Sequence, residues 1–450
     1  METAKKGRPF GFYVCALGFT FERFAFYTMK YLLAIWIATA ATSGGLGLSD
    51  IEGSAVSGSF VAWTYITPII GGYVADHWIS PRICVSLGML LMGVGYIILY
   101  FASTLAMVNV MIAFVAIGTG LFKGNLSGVN GLLFHDQDEL DQAFSIQYSF
   151  VNIGSFCGTT FLAPLGGNSL TFQMVFLICG LFLIFDACWF TFVGGKVLGD
   201  AGKTPFKKDA REFISEEKRE AAQNAPLTSL EKKKVFAIVL LTLLSAVFWM
   251  LWYMAYMPAY YTFGWGDGDS YQNLADWTIG GFEIPTSWFD SVNALVCIIL
   301  GPVLGMVWSN LDKKGKDWSM FTKTALGCML VGIAYFVMVV AYNIAGGQKE
   351  GCSVFWLVLV CLLMSVGEMI FSPLGNSFIN KFSPAKLLGF LLGFWPIAVY
   401  LAQMVYPKLY AYLTTVDFSM GYGICGAIVV VFGLILIGFS KKLDAWSNEE

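Results

Sequence analysis

Gly18-Phe19-Thr20-Phe21-Glu22-Arg23-Phe24-Ala25-Phe26-Tyr27 sets an acid beside a base in the middle of an apolar run that extends over residues 11–39. An ionised side chain at the centre of a bilayer costs roughly 3 kcal/mol on insertion scales, so such residues are kept only where they pair or face water. Lys30 interrupts the same run, and Lys123, Asp186 and Glu368 interrupt others at comparable depth. Charges placed this way in a chain that is otherwise nearly all membrane sequence point to the passage of something polar.

The surrounding composition supports that reading. The 450 residues are 57% hydrophobic and 13% charged, about half the charge of an ordinary soluble domain. Continuous apolar runs of bilayer length predict twelve spans, at 11–39, 51–75, 83–103, 108–133, 139–163, 172–194, 235–263, 285–309, 319–342, 353–380, 386–412 and 419–440. The runs do not alternate, which excludes a transmembrane barrel. No small-residue cleavage site follows the first run, so it is expected to stay as a helix rather than be removed as a signal peptide.

Positive charge marks one side of the membrane. Lys5, Lys6 and Arg8 precede the first span and Arg82 follows the second. The 196–234 loop carries Lys196, Lys203, Lys207, Lys208, Arg211, Lys218, Arg219, Lys232, Lys233 and Lys234. Lys313, Lys314 and Lys316, then Lys381 and Lys386, then Lys441 and Lys442 follow later spans, while the alternate loops are nearly free of Lys and Arg. The positive-inside rule then puts both termini of this multi-pass chain in the cytoplasm. The ten cysteines lie mostly within or at the ends of spans and read as small buried residues rather than a disulfide framework.

Six spans, a basic loop and six more spans are the layout of the major facilitator superfamily. The expected organisation is an all-α integral membrane protein with bundles at 1–195 and 235–450. In the linker at 196–234, Phe206, Ala210, Phe213 and Ile214 predict an amphipathic helix on the membrane surface. Thr228 and Glu231 have capping-box spacing ahead of the seventh span. The segment Gly71-Gly72-Tyr73-Val74-Ala75-Asp76-His77-Trp78-Ile79-Ser80-Pro81-Arg82 resembles the superfamily's cytoplasmic signature, with Ser80 for the usual Gly and His77 for the usual basic residue. The resemblance implies a gating role for Asp76 and Arg82. An Asp at a helix C-terminus is unfavourable unless a cation offsets it.

Five motifs, in order along the chain, resemble those of the proton-coupled oligopeptide transporters. They are Phe19-Thr20-Phe21-Glu22-Arg23-Phe24-Ala25-Phe26-Tyr27-Thr28, then Gly118-Thr119-Gly120-Leu121-Phe122-Lys123-Gly124-Asn125-Leu126-Ser127, then Phe144 to Ser155, Ile284 to Asn293, and Ser365 to Gly375. A peptide zwitterion carries a carboxylate and an ammonium. The resemblance assigns Arg23 and Lys123 to the carboxylate end, and Asn152, Asn293 and Glu368 to the amino end. Lys30 is a further cation of the first half. Tyr27, Tyr65, Trp249 and Trp395 match positions that shape side-chain pockets. Arg suits a carboxylate bidentately, whereas Lys acts as a point charge.

Departures from the family pattern bear on coupling. The first acid of the first-span motif is Phe19, and the seventh-span acid of bacterial members is Tyr253. Glu22, Arg23 and Lys123 are left as the proton-coupling set, with Glu22 as the expected partner of Lys123. Animal members carry a His in the second span, where this chain has Gly58. Asp186 matches no family position and is expected to pack between helices or snorkel.

The implied activity is import of di- and tripeptides by proton symport with alternating access. The alternative is a family carrier with a changed substrate, or a uniporter, because of Phe19 and Tyr253. With two histidines, His77 and His135, there is no His-Glu-x-x-His site, and no Gly-x-Ser-x-Gly elbow occurs, so an enzyme is not expected. The expected partners are peptide, protons and the lipid bilayer. No cofactor, no metal and no nucleic acid is expected, and the chain is expected to act as a monomer.

Overall fold

The structure is a computed structural model. It describes residues 9–134, 137–206, 226–316, 318–371, 375, 378, 379, 383, 384, 387, 391 and 394–448. Lys5, Lys6, Arg8, His135, the expected amphipathic helix at Ala210, Phe213 and Ile214, the linker cations Lys207, Lys208, Arg211, Lys218 and Arg219, and Lys381 and Lys386 lie outside them.

Among the described residues, twelve long helices follow one another: α1 (Phe10–Ala38), α2 (Asp50–His77), α3 (Pro81–Tyr100), α4 (Leu105–Gly131), α5 (Gln137–Cys157), α6 (Phe172–Trp189), α7 (Ser229–Tyr261), α8 (Trp288–Lys313), α9 (Met320–Ala345), α10 (Phe355–Phe371), α11 (Ile397–Leu413) and α12 (Phe418–Asn448). The count and order match the twelve spans read from hydropathy. Seven of the described helices have 18-residue stretches apolar enough to cross a bilayer with at most two charges. α1 falls outside that set because Glu22, Arg23 and Lys30 interrupt it.

Local chemistry sets several helix starts. Thr104, Thr171 and Ser319 cap α4, α6 and α9 by accepting a backbone N–H three residues on. α7 starts at Ser229, ahead of the expected 235, because the Thr228–Glu231 capping box forms in full. The Thr228 N–H donates to Glu231 Oε2 at 2.8 Å, and the Glu231 N–H donates to Thr228 Oγ1 at 3.2 Å.

Short strands depart from the purely helical expectation. β1 (Ala275–Asp276) pairs in parallel with β4 (Cys352–Ser353), and β2 (Thr278–Ile279) pairs antiparallel with β3 (Phe282–Glu283). Gly280 and Gly281 join the latter pair with φ of 59° and 82°, the left-handed geometry that a two-residue hairpin needs. All ten cysteines are free thiols.

The fold divides into two compact units: Met1–Leu32 with Trp63–Arg211, and Leu33–Ala62 with Glu212–Glu450. In the first, α1 lies against α5 through two glycines one turn apart. A side chain at Gly154 would begin 2.3 Å from the Thr20 carbonyl oxygen, and one at Gly158 would begin 2.3 Å from that of Phe24. Small residues four apart let membrane helices meet backbone to backbone. Thr20 Oγ1 adds a hydrogen bond across this seam, to the Phe150 carbonyl at 3.1 Å.

In the second unit, tyrosines tie residues 33–62 to α7 and α11. Tyr261 donates to the Ala34 carbonyl at 2.7 Å, Tyr410 to Asp50 Oδ2 at 2.6 Å, and Tyr406 to the Ser54 carbonyl at 3.2 Å. Gly58 is part of this seam. A side chain there would begin 2.7 Å from Pro407 Cγ and 2.8 Å from the Gln403 carbonyl, so there is no room for a His.

Gly154→Ala is expected to lower the thermal midpoint in detergent by an amount equivalent to about 1–3 kcal/mol of overpacking. Gly305→Ala, whose new methyl meets nothing within 4 Å, should not lower it. Equal midpoints for Gly154→Ala and the parent protein would show that the α1–α5 seam is loose.

Candidate functional site

The buried charges of the first unit gather on α1. Glu22 and Arg23 are 1% and 5% exposed and form a two-point ion pair: Nε of Arg23 donates to Oε2 of Glu22, and Nη2 donates to Oε1 at 2.8 Å. Two of the five guanidinium donors are thus used. Neighbouring helix residues do not ordinarily face each other, so both side chains must turn to one side to meet. Phe26 backs the guanidinium, with its ring centroid 4.5 Å away, and Tyr27 lies at 6.0 Å. Lys30 is buried too, with Nζ 5.8 Å from the Tyr27 centroid. Positions 23, 27 and 30 share one face of α1, so Arg23 and Lys30 flank the Tyr27 ring.

Lys123 comes from α4. Its ammonium sits 4.2 Å from the centroid of Tyr65 on α2, within electrostatic range of Arg23 and Glu22. It makes no ion pair with a described residue. The expected Glu22–Lys123 partnership is therefore replaced: Arg23 takes both oxygens of Glu22, and Lys123 rests on an aromatic face. Phe19 stacks edge-on against Phe122, the residue before Lys123, with centroids 5.4 Å apart. An apolar contact occupies the position of the missing acid. Asn152 on α5 donates to the Tyr148 carbonyl of its own helix at 2.9 Å.

In the second unit, Glu368 of α10 is 9% exposed. Asn293 of α8 donates through Nδ2 both to Glu368 Oε2 and to Ser365 Oγ, each at 3.0 Å. Ser365 lies three residues before Glu368, on the same helix face, and that spacing was the available signal for this missed neighbour. Tyr260 and Asp290 were missed as well. Tyr260 donates to Asp290 Oδ2 at 2.6 Å inside the same unit. Trp249 joins Trp252 and Tyr253 in an aromatic run along α7, and Tyr253 stacks on Tyr406 with centroids 6.2 Å apart. Trp395 belongs to the same unit. Its ring lies against the Cα of Gly375, 2.1 Å from where a side chain would start, and packs on the Ile238, Ile379 and Leu391 cluster.

The two gating candidates are not brought together by an ion pair among the described residues. Arg82 donates from Nε to the Ala201 carbonyl at 2.6 Å and from Nη2 to that of Gly199 at 2.8 Å. Ser80 Oγ donates to the Gly202 carbonyl at 2.7 Å. Together they clamp the segment that follows α6. Lys203 hydrogen-bonds Asp200 in that segment and holds its carboxyl below the usual range. Asp76 forms no ion pair with a described residue.

Twelve successive helices, seven of them long and apolar enough to cross a membrane, with Glu22, Arg23, Lys30, Asp186 and Glu368 buried among them, are the architecture of a multi-pass carrier. Comparison with known proteins agrees. The sequence profile of the Major Facilitator Superfamily matches residues 16–282, more than half of the chain, and that of the POT family matches residues 207–421. The peptide transporter YePEPT of Yersinia enterocolitica is 27% identical over 86% of this chain and 85% of its own length. Dipeptide and tripeptide permease B of Xenorhabdus bovienii is 27% identical over 90% and 88%. A crystal structure of a mutant of the peptide transporter POT in complex with alafosfalin superposes with a TM-score of 0.85 at 26% identity, covering 99% of this chain and 97% of that one. The chain belongs to the major facilitator superfamily. Within it, the resemblance to the POT family read from five motifs is borne out.

Removing one member of a buried ion pair leaves an uncompensated charge, which costs about 3–5 kcal/mol. Arg23→Met should therefore lower the thermal midpoint sharply, and Glu22→Leu combined with Arg23→Met should recover most of the loss. A double variant no more stable than Arg23→Met would show that Glu22 is not the group left exposed to the apolar interior.

Proposed function

We propose that this chain imports di- and tripeptides by alternating access, with the peptide carboxylate taken by Lys123 and Arg23 and the ammonium by Glu368. The observation that carries the reading is Lys123. Its ammonium is held on the Tyr65 ring without a carboxylate among the described residues, beside an Arg23 that keeps three donors beyond its pair with Glu22. A ligand carboxylate completes this set. Glu368 is the converse group, a buried acid oriented by the Asn293 amide, which also holds Ser365. Similarity to transporters of di- and tripeptides supports the same substrate class.

Proton coupling falls on Glu22 in this scheme, because Phe19 and Tyr253 carry no titratable acid and sit in aromatic packing. Loading draws Arg23 toward the peptide carboxylate and Glu22 takes up a proton, which links the two bindings. The bundles at 1–195 and 235–450 are proposed to rock about the substrate, with Asp76 and Arg82 near the inner gate. Tyr27, Lys30, Tyr65, Asn152, Trp249, Asn293 and Trp395 are proposed to complete the substrate surroundings. The proposed setting is a bacterial inner membrane with both termini cytoplasmic and the chain monomeric.

Counterflow of labelled dialanine in liposomes, with and without an imposed proton gradient, tests this reading. Exchange with gradient-driven accumulation is expected. Exchange alone would establish a uniporter, and neither would refute the peptide assignment. Lys123→Ala should reduce uptake about 100-fold or more, the effect of losing one partner of a buried charge. Near-normal affinity in that variant would remove Lys123 from the site. Glu368→Gln should impair peptides with a free amino terminus and relatively spare N-acetylated ones. Equal loss for both would move Glu368 out of ammonium recognition.

A further inference from the structure

A cavity of about 390 Å³ lies between α3 and the chain that continues α6, and none of the residues assigned to the peptide lines it. Ile83, Leu87 and Leu90 of α3 and Phe190 give it apolar walls, and Arg82 stands at one end. The hydroxyls of Ser86 and Thr191 meet at 2.8 Å across it and satisfy each other. The second wall is not a regular α-helix. Phe190–Gly194 is a π-helical stretch, whose wider turn displaces the backbone and is common at functional sites.

The cavity opens on the outside of the first unit. Ile83, Leu87, Leu90 and Val94 recur every three to four residues along α3, and all four are exposed. That spacing makes one face of a helix. α3 and the α6 span up to Val197 are both long and apolar enough to cross a bilayer, so this exposed face meets lipid chains. Trp78, four residues before Arg82, is 70% exposed and packs edge-on against the exposed ring of Tyr73. Such amphipathic rings collect at the headgroup level, which puts Arg82 there too.

The charge at this end is positive and held in place. Arg82 spends Nε and one Nη2 hydrogen on the carbonyls of Ala201 and Gly199, which fixes the guanidinium and leaves three of its five donors. Lys196 follows Gly195 of the cavity lining and is exposed. Asp200 is the carboxylate that acts on Arg82, and it already receives the Lys203 ammonium at 2.8 Å. The N-terminal end of α3 adds its partial positive charge.

We propose that this groove binds an anionic phospholipid, with the phosphate on Arg82 beside Lys196 and one acyl chain along Ile83, Leu87 and Leu90. Leu90 lies eight residues beyond Arg82, about 12 Å along the helix, which is most of the roughly 15 Å hydrocarbon depth of one leaflet. Arginine matches phosphate oxygens with paired donors, and the apolar walls take the chain. The site does not depend on the peptide reading, and its test does not use transport.

Native mass spectrometry of the full chain in detergent, titrated with phosphatidylglycerol or phosphatidylcholine, tests the proposal. Wild type should retain one phosphatidylglycerol with about tenfold preference over phosphatidylcholine, as two cations beside one phosphate provide. Arg82→Gln should lose the preference. Gly195→Leu leaves Arg82 intact, and its new side chain starts with nothing within 4 Å, so it should fill the groove without straining the fold and lose the lipid. It decides the matter alone should Arg82→Gln fold poorly. Undiminished retention in Gly195→Leu would overturn the proposal, and so would equal affinity of wild type for the two lipids. Displacement of the lipid by millimolar inorganic phosphate would replace it with a bare anion site. A dimer mass that Gly195→Leu abolishes would instead give the groove to a second copy of the chain.

Discussion

A buried ion pair on one helix is the constraint from which the rest of this structure follows. Glu22 and Arg23 are next to each other in sequence and enclosed in an interior with little water. Each alone would cost several kcal/mol, and together they hold only if both side chains swing to one side of α1. The close α1–α5 seam at Gly154 and Gly158 and the Phe26 ring beneath the guanidinium fix that geometry. With Arg23 committed to Glu22, Lys123 must find stabilisation elsewhere, and the Tyr65 face provides it. An ammonium over an aromatic ring is attracted more weakly than one against a carboxylate. Arg23 is thereby ion-paired, while Lys123 rests on an aromatic face.

The second unit treats its acid differently. Glu368 is oriented by the Asn293 amide, which also holds Ser365. Asp290, by contrast, is hydrogen-bonded by Tyr260 within the buried interior. Two acids of one unit are thus set apart by their partners, which residue type alone does not reveal.

What can be read from the sequence follows the range of the physical signal. Hydropathy and helix capping are local, so the twelve helices and the Thr228–Glu231 box are legible in the order of residues alone. Partner choice is not local. The Glu22–Lys123 pairing expected from charge counting gives way to the adjacent arginine, because two geometrically matched hydrogen bonds outweigh a point charge. Motif position places Arg82 at a gate, yet its guanidinium is spent on backbone carbonyls of the segment after α6, contacts that only folding brings within reach. The Gly280–Gly281 hairpin escapes sequence reading because two-residue strands are too short to show alternation.

The departures from the family pattern also become one statement about water. Phe19 packs on Phe122, Tyr253 stacks on Tyr406, and Gly58 leaves no space against Pro407. Three positions where relatives place titratable groups are here filled by close apolar or aromatic contact. Among the described residues, the acids enclosed in the first unit are Glu22 and Asp186. Of these, Glu22 is charge-compensated by Arg23, and Asp186 has neither a hydrogen-bond donor nor a cation against it among the described residues.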